Sequence, residues 1–154
     1  MIRVQTPNFN DDRFREELVA ALRRGVTVQL LHAKNYEDLA EGSPGQGGTN
    51  SSVVEDLFED LANEPDALAR LQLREYVHSG SEPVDGNAPH ASHVKLLAFD
   101  DEVVLVTSMN MDTQSWNHSR EIGVLVDSKE VTTAWLDRLF TPDFARSSPV
   151  RPER

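Results

Sequence analysis

The sequence contains no cysteine among its 154 residues. This absence excludes a disulfide framework, a thiolate metal site and a cysteine nucleophile. No apolar run approaches the roughly 18 residues that a membrane-spanning helix requires, and no basic and then apolar leader follows Met1. We therefore expect no spanning segment and no signal peptide in this chain. The sequence does not indicate a compartment, and any association with a membrane surface would come through a parent protein.

Basic residues are also scarce. The chain has 15 Lys and Arg against 26 Asp and Glu, which gives a net charge of −11. Nucleic-acid binding depends on Lys and Arg that neutralise phosphates, so this charge makes nucleic acid an unlikely partner. Much of the excess lies in residues 34–66, where Lys34 is the only basic residue. That segment is typical of a solvated helix face, and it leaves room for a locally positive site elsewhere.

Metal-binding motifs are missing as well. The acidic and histidine residues match neither His-Glu-x-x-His nor the spacing of a calcium-binding loop, so we expect no catalytic metal and no cofactor. His78, His90 and His118 fit surface or loop positions better than catalytic ones. The length suits a single domain, predicted over residues 1–145, followed by a C-terminal tail over residues 146–154.

The start of the chain predicts a strand, a helix and a second strand. Ile2 and Val4 alternate with polar residues over residues 1–6, and a helix then opens at Asp11 and ends near Gly25. The apolar stripe of this helix consists of Phe14, Leu18, Ala21 and Leu22. Residues 26–31 are apolar almost throughout, as expected for a strand covered on both faces. Together they form a βαβ unit, so the two strands should be parallel.

The rest of the chain continues this alternation of helices and strands. Residues 41–50 form a Gly-rich loop without the Gly-Lys-Ser/Thr of a phosphate-binding loop, which predicts a mobile connection or, alternatively, a flap over an active-site mouth. Ser52 is predicted to cap a helix and Ser128 to cap the final one. The remaining predicted segments are a strand over residues 71–77, a loop over residues 79–89, a last strand over residues 122–126 and a Pro-rich tail from residue 141. In the final helix, the side chains predicted to face inward are Val131, Trp135 and Leu139.

The densest group of reactive side chains lies in residues 92–121. Strand residues alternate faces and advance about 3.3 Å each, so His93 and Lys95 should project from one side, roughly 6 to 7 Å apart. That span suits two groups that hold one phosphate. The other candidate site residues in this segment are Asp100, Ser108, Asn110 and Glu121.

The same segment predicts a β-hairpin, because two apolar runs flank the acidic residues 100–102. If the turn takes two residues, Phe99 pairs with Glu102, and counting back places Ser108 opposite His93 on the same face. A loop of three residues would slip this register.

This constellation resembles the signature of the phospholipase D superfamily, which reads His-x-Lys-x4-Asp, then Gly/Ser-Ser-x-Asn, then a Glu further along. The matching positions are His93, Lys95, Asp100, Ser108, Asn110 and Glu121. The pair His-x-Lys alone carries little information, since His32 and Lys34 also form one. Leu39 stands where that second pair would need an Asp, so we interpret it as the polar end of a strand.

The resemblance implies an α/β fold with a mixed β-sheet flanked by helices on both faces, here lacking the first strand and helix of such domains. It also implies catalysis through a covalent phosphohistidine. Lys95 and Asn110 would hold the phosphate oxygens, and Ser108 would hydrogen-bond near the site. Glu121 would orient a histidine ring, and Asp100 would have a supporting role.

That mechanism uses two histidines, and this chain holds one complete motif. The second motif would come from the N-terminal domain of a parent protein or from the mate in a homodimer. The start of the chain and its long acidic segment favour the C-terminal half of a two-copy phospholipase D or cardiolipin synthase-like phosphatidyltransferase, acting on a phospholipid or another phosphodiester. The alternatives are a homodimeric metal-independent endonuclease, which the acidity disfavours, and a catalytically idle interaction module, which the intact motif disfavours.

Overall fold

A computed structural model describes residues 1–34, 36, 38–76 and 92–152 of the protein. The strands are β1 (Ile2–Thr6), β2 (Val28–Ala33), β3 (Leu71–Tyr76), β4 (Leu96–Phe99), β5 (Val103–Thr107), β6 (Gly123–Asp127) and β7 (Ser148–Pro149). They form one mixed sheet in the order β6-β5-β4-β1-β2-β3-β7, with helices on both faces, which confirms the predicted fold class. The predicted loop over residues 79–89 lies outside the described residues.

The helices are α1 (Asp12–Arg23), α2 (Asp38–Glu41), α3 (Asn50–Asp60), α4 (Pro65–Leu68), α5 (Thr113–Asn117), α6 (Lys129–Trp135) and α7 (Thr141–Arg146). A π-helical turn, Leu136–Phe140, joins α6 to α7. Helix α1 begins where the Asp11 side chain accepts a hydrogen bond from the Phe14 N–H (3.1 Å). β1 and β2 are parallel, which confirms the predicted βαβ unit. None of the helices in the described part of the chain is long and apolar enough to cross a bilayer.

Each face of the sheet has its own apolar core. Helices α1, α3 and α4 cover one face, and the π-helical turn covers the other. Leu30 and Leu31 are neighbours on β2 but belong to different cores, because successive strand residues point to opposite faces. Burying one such leucine contributes roughly 1.5 to 3 kcal/mol. This is why both Leu30 and Leu31 are apolar although they lie on opposite faces.

The β4–β5 hairpin has a different register from the predicted one. Phe99 pairs with Val103, so the prediction that it pairs with Glu102 is wrong. Residues 100 and 101 do form a tight turn, with φ values of 50° and 58°, and the Glu102 N–H donates to the Phe99 carbonyl (3.0 Å). Glu102 is then the extra residue of a bulge, and its carbonyl accepts from the Ser128 N–H (3.0 Å). The bulge slips the register by one residue.

Helix α3 begins earlier than predicted. The N-cap is Thr49, whose hydroxyl oxygen accepts from the Ser52 N–H (3.3 Å), so the assignment of Ser52 as the cap is wrong. The earlier start of α3 is explained by contacts with segments distant in the sequence. The buried Asn50 side chain donates to the carbonyls of Pro7 and Ala33 (2.8 Å each), which ties the first turn of α3 to the ends of β1 and β2.

The C-terminal helices differ from the prediction in the face that they bury. Ser128 caps α6 as predicted, with its hydroxyl accepting from the Val131 N–H (3.4 Å). The buried positions are Thr132, Leu136 and Phe140. The predicted inward residues Val131, Trp135 and Leu139 each precede a buried position by one residue, so the predicted inward face is wrong by one residue. Leu139 is 39% exposed.

The segment from residue 141, predicted to be a Pro-rich tail, contains α7 and the edge strand β7. β7 pairs antiparallel with β3. Arg74 fastens this connection, since its guanidinium donates to the carbonyls of Phe144 and Ser147 (3.0 and 2.8 Å) and lies 4.8 Å from the Phe144 ring centre. Residues 141–150 are therefore docked against the sheet.

His32 lies at the end of β2, which confirms its interpretation as a strand residue. Burial lowers the pKa of its imidazole, an effect that the hydrogen bond to the Ala33 carbonyl (3.1 Å) and the charge of Glu75 oppose and the charge of Lys34 reinforces. Nδ1 faces that carbonyl and Nε2 has no partner within the described residues, so the folded protein favours the neutral form of His32.

The lowered pKa of His32 predicts a pH-dependent stability. An unfolded histidine takes up a proton below about pH 6.5, whereas the folded protein resists protonation. The free energy of unfolding should therefore be highest above that pH and fall below it, by at most about 1.4 kcal/mol per pH unit. Urea unfolding of the wild type and of His32→Asn at pH 7.5 and pH 5.5 checks this. Equal pH dependence in the two proteins would contradict it.

Candidate active site

His93 and Lys95 lie in an extended segment that leads into β4. Val94 packs in the core beneath the π-helical turn, so alternation along this extended segment puts His93 and Lys95 on the opposite face. Lys95 is only 8% exposed, and its Nζ donates to the His93 carbonyl (3.0 Å). His93 is exposed. This places a cation and an imidazole at the edge of the sheet formed by the carboxyl ends of β1 and β2, where open α/β sheets bind ligands.

The imidazole of His93 contacts Tyr36. His93 Nε2 lies 2.9 Å from the Tyr36 hydroxyl, and the two ring centres are 5.9 Å apart. Tyr36 is 9% exposed and follows β2. Sequence reasoning did not identify it. Only the side-by-side arrangement of β2, β1 and β4 brings together two residues so far apart in the chain.

Asn110 lies in the turn between β5 and α5, where hydrogen bonds fix its orientation. Its Nδ2 donates to Asp112 Oδ2 (2.9 Å), and its backbone N–H donates to Ser115 Oγ (3.1 Å). The other Asp112 oxygen caps α5 by accepting from the Ser115 N–H (2.6 Å). An amide nitrogen carries two hydrogens, so Asn110 Nδ2 can donate a second hydrogen bond besides the one to Asp112. Neither Asp112 nor Ser115 is among the matching positions of the motif.

The turn that carries Asn110 is anchored beside Lys95. The Met111 N–H donates to the hydroxyl of Thr6 (3.3 Å), the last residue of β1. β1 pairs with β4 up to the start of β4, so Thr6 lies next to the segment that holds Lys95. The structure thus brings Asn110 to the same edge of the sheet as His93 and Lys95.

Asn10 connects the Gly-rich loop to α5, a role that the sequence pattern did not indicate. Its Nδ2 donates to the Glu41 carboxylate and to the Gly48 carbonyl (2.7 Å), and its Oδ1 accepts from the Thr113 N–H (2.9 Å). Gly47 has φ +90°, and a Cβ there would lie 2.4 Å from the Asn10 carbonyl oxygen. The loop that we predicted to be a mobile connection or a flap packs against Asn10 and the start of α5.

Ser108 and Glu121 form a pair at the neighbouring strand ends. The Ser108 hydroxyl donates to the Glu121 carboxylate, and Ser108 Oγ accepts from the Ile122 N–H (3.1 Å). Both side chains are exposed. Because of the bulge in the hairpin, continuation of the observed pairing puts Ser108 opposite Val94, so the prediction that it lies opposite His93 is wrong by one residue.

Asp100 is the candidate residue that the structure separates from the others. It lies in the turn beyond β4, where its N–H donates to the Met1 carbonyl (3.0 Å). An extended segment from His93 to Asp100 spans roughly 20 Å. The positions at the other edge of the sheet are His93, Lys95, Ser108, Asn110 and Glu121. Within residues 1–34, 36, 38–76 and 92–152, no three His, Asp or Glu side chains are grouped so as to hold a metal ion.

We expect Asp112→Asn to lower phosphodiester turnover by about tenfold, because the hydrogen bond that orients Asn110 is lost. Asparagine caps helices about as well as aspartate, so α5 keeps its cap while the atom facing Asn110 becomes a donor. Ser128→Asn at the cap of α6 is the matched control, since it changes a cap of the same kind outside this edge of the sheet. Turnover and thermal unfolding of both variants give the measurement. Full turnover by Asp112→Asn would show that the hydrogen bond from Asn110 to Asp112 is not needed for activity.

Comparison with known proteins identifies a matching family and solved structures with the same fold. The family described as cardiolipin synthase, PLD-like domain, matches residues 1–143. No curated protein matches the chain. The phospholipase D family member Nuc from Salmonella typhimurium is 18% identical, with a TM-score of 0.69 over 98% of this chain and 82% of its own. At such identities, a structural likeness shows the fold alone.

Two further solved structures have the same fold. NucT from Helicobacter pylori is 12% identical, with a TM-score of 0.64 over 97% of this chain and 81% of its own. Phosphatidylserine synthase from Haemophilus influenzae is 16% identical, with a TM-score of 0.69 over 97% of this chain but only 33% of its own.

Proposed function

The chain belongs to the cardiolipin synthase, phospholipase D-like domain family, and on that premise we propose that it is one half of a phospholipase D-type phosphodiester hydrolase or transferase. Members of this superfamily are phosphodiesterases or phosphatidyltransferases. The observation that carries the proposal is the common position of His93, Lys95 and Asn110 at one edge of the sheet, with the ammonium of Lys95 held beside His93.

The proposed chemistry is a double displacement at phosphorus. A histidine nitrogen attacks, a P–N bond forms, and the P–O bond to the leaving alkoxide breaks while a second histidine gives that oxygen a proton. The second histidine then takes a proton from water or an alcohol, whose oxygen attacks phosphorus and breaks the P–N bond. His93 supplies one of the two imidazoles, and imidazole suits both roles because its pKa lies near neutrality.

Lys95 and Asn110 are proposed to stabilise the charge on the non-bridging oxygens. The Lys95 ammonium supplies a positive charge in a buried position, where electrostatic interactions are stronger than in water. The second hydrogen of Asn110 Nδ2 is proposed to be a further donor, oriented by Asp112. The Ser108–Glu121 pair lies at the same strand ends, and we propose that Glu121 orients a histidine ring there.

A partly exposed apolar face of the sheet supports the proposal of a second motif-bearing half. Leu97, Leu105 and Leu125 lie side by side across β4, β5 and β6, and Leu125 is 62% exposed. Alternation along β4 puts Leu97 on the same face as Lys95. A second half that packs on this apolar face would bring its own histidine towards the substrate. We propose that this half is the N-terminal domain of a parent protein or the mate in a homodimer.

A homodimeric, metal-independent endonuclease is the second candidate. This candidate is supported by the likeness in fold to Nuc, of which the chain covers 82%. The net charge of −11 favours the lipid substrate, because a protein with few basic residues holds a nucleic-acid backbone weakly.

One experiment separates the two candidates. The protein, expressed in its full reading frame, is incubated with phosphatidylglycerol vesicles and an alcohol, and separately with supercoiled DNA in EDTA. A phosphatidyl-alcohol or phosphatidic acid product that disappears in His93→Ala supports the proposed function. DNA nicking by a species that light scattering shows to be a dimer supports the endonuclease. If neither product forms, both assignments are wrong and the interaction module takes their place.

A further inference from the structure

Tyr36 contacts the Nε2 nitrogen of His93. Its hydroxyl lies 2.9 Å from His93 Nε2, and the rings are inclined by 33°. Nε2 is the imidazole nitrogen furthest from the backbone, and its lone pair or proton points along this hydrogen bond. A phosphodiester can react with Nε2 in two ways: Nε2 attacks its phosphorus, or Nε2 gives a proton to its leaving oxygen. In both cases the phosphodiester has to enter the space next to the Tyr36 hydroxyl.

The side chain of Tyr36 is held in place by its surroundings. It is 9% exposed, so its ring cannot swing into solvent without uncovering apolar area. A phenol has a pKa near 10 and remains protonated at neutral pH, so it can donate a hydrogen bond to an anionic oxygen as well as to an imidazole. The hydroxyl therefore stays within reach of any phosphoryl group that approaches His93.

We propose that Tyr36 is a further substrate-contacting residue of this site. In the free protein its hydroxyl hydrogen-bonds His93 Nε2, and when a phosphodiester binds, the hydroxyl transfers that hydrogen bond to a non-bridging phosphoryl oxygen. The inference rests on the proposed function for the identity of the ligand. It assigns a donor from outside the histidine, lysine and asparagine motif, on a segment more than fifty residues upstream.

Chemical labelling of His93 tests the contact in the free protein. Diethyl pyrocarbonate reacts with unprotonated, accessible imidazole nitrogens, and peptide mass spectrometry reports the rate at each histidine. In Tyr36→Phe we expect labelling of His93 about fivefold faster than in the wild type, because a hydrogen bond of about 1 kcal/mol is removed. Tyr76→Phe changes the only other tyrosine and is the matched control, and exposed His118 is the internal reference. An unchanged rate at His93 in Tyr36→Phe overturns the proposal.

Protection by inorganic phosphate tests the contact with the ligand. Phosphate should slow the labelling of His93 in the wild type, and Tyr36→Phe should need about tenfold more phosphate for the same protection, as expected for one lost hydrogen bond to a charged group. Equal or better protection in Tyr36→Phe overturns the proposal. Neither readout needs turnover, so a failure of the phosphodiesterase assignment leaves this result interpretable, and the reverse also holds.

The wild-type protein provides a test that does not depend on the folding of a variant. With the tyrosine Cζ carbons labelled with ¹³C, the spectrum has two signals, one for each tyrosine. Saturating phosphate should shift the signal of Tyr36 and leave that of Tyr76 in place. A Tyr36 signal that does not move would show that the hydroxyl keeps its partner, and the proposal would be wrong.

Discussion

His93→Ala should lower phosphodiester turnover by about 10² to 10⁴ or more, the range expected when a nucleophile or a general acid is removed. Tyr36 contacts the imidazole but does not replace it, because a phenol is a much weaker nucleophile than an imidazole at neutral pH. The measurement is the initial rate of release from a chromogenic phosphodiester and from a phospholipid. Because His93 is exposed, its removal leaves the apolar cores intact and the thermal midpoint close to that of the wild type.

His118→Ala is the matched control for this variant. His118 is an exposed histidine at the C-terminal end of α5, so its removal changes a side chain of the same type near the same sheet edge. It should retain full turnover. If His93→Ala keeps its activity while His118→Ala loses it, the wrong histidine has been assigned to the reaction.

Lys95→Met should lower turnover by about 10² to 10⁴, because the non-bridging oxygens lose a buried cation. Methionine preserves the packing of the aliphatic stem of Lys95, which is only 8% exposed, and removes the ammonium alone. Negative charge on the phosphoryl group is redistributed as bonds form and break, so a loss confined to the transition state appears in kcat rather than only in KM. Steady-state kinetics over a range of substrate concentrations separates the two parameters.

Lys129→Met is the control for the lysine variant. Lys129 pairs with Glu102 at 3.3 Å, at the edge of the sheet opposite the site, and its side chain is 72% exposed. Exposed pairs of this kind contribute about 0 to 1 kcal/mol, so neither stability nor turnover should change measurably. A rise in KM alone in Lys95→Met would assign the ammonium to substrate binding and withdraw its part in the chemical step.

Local sequence patterns predicted where helices and strands form more accurately than they predicted which residues contact each other. The spacing of Phe14, Leu18 and Leu22 predicted the helix α1 and its buried face, because that face repeats with the helical period. The same reasoning missed the buried face of the final helix by one residue. The buried positions Thr132, Leu136 and Phe140 keep the predicted spacing but begin one residue later, and Leu136 and Phe140 pack on the sheet. The period of an apolar pattern does not by itself indicate which of two adjacent helix faces meets the sheet.

In the β4–β5 hairpin, the sequence predicted the two strands but not the register in which they pair. The two apolar runs and the acidic turn were visible in the sequence, and both strands formed. The extra residue at Glu102 was not visible, because the bulge depends on the contact of its carbonyl with the Ser128 N–H. A shift of one residue moves Ser108 away from His93, so a small change in pairing alters which side chains meet.

The sequence by itself determined the chemistry that is available: one imidazole, one ammonium and one carboxamide in a motif whose order along the chain needs no folding to be read. It also determined the βαβ unit, because strand and helix periods are local properties. Only the tertiary structure decided which residues share the site. It set Asp100 apart, it brought Tyr36 to His93, and it connected Asn10 with Gly47 and the start of α5. Each of these follows from packing between segments far apart in the chain, which no local pattern encodes.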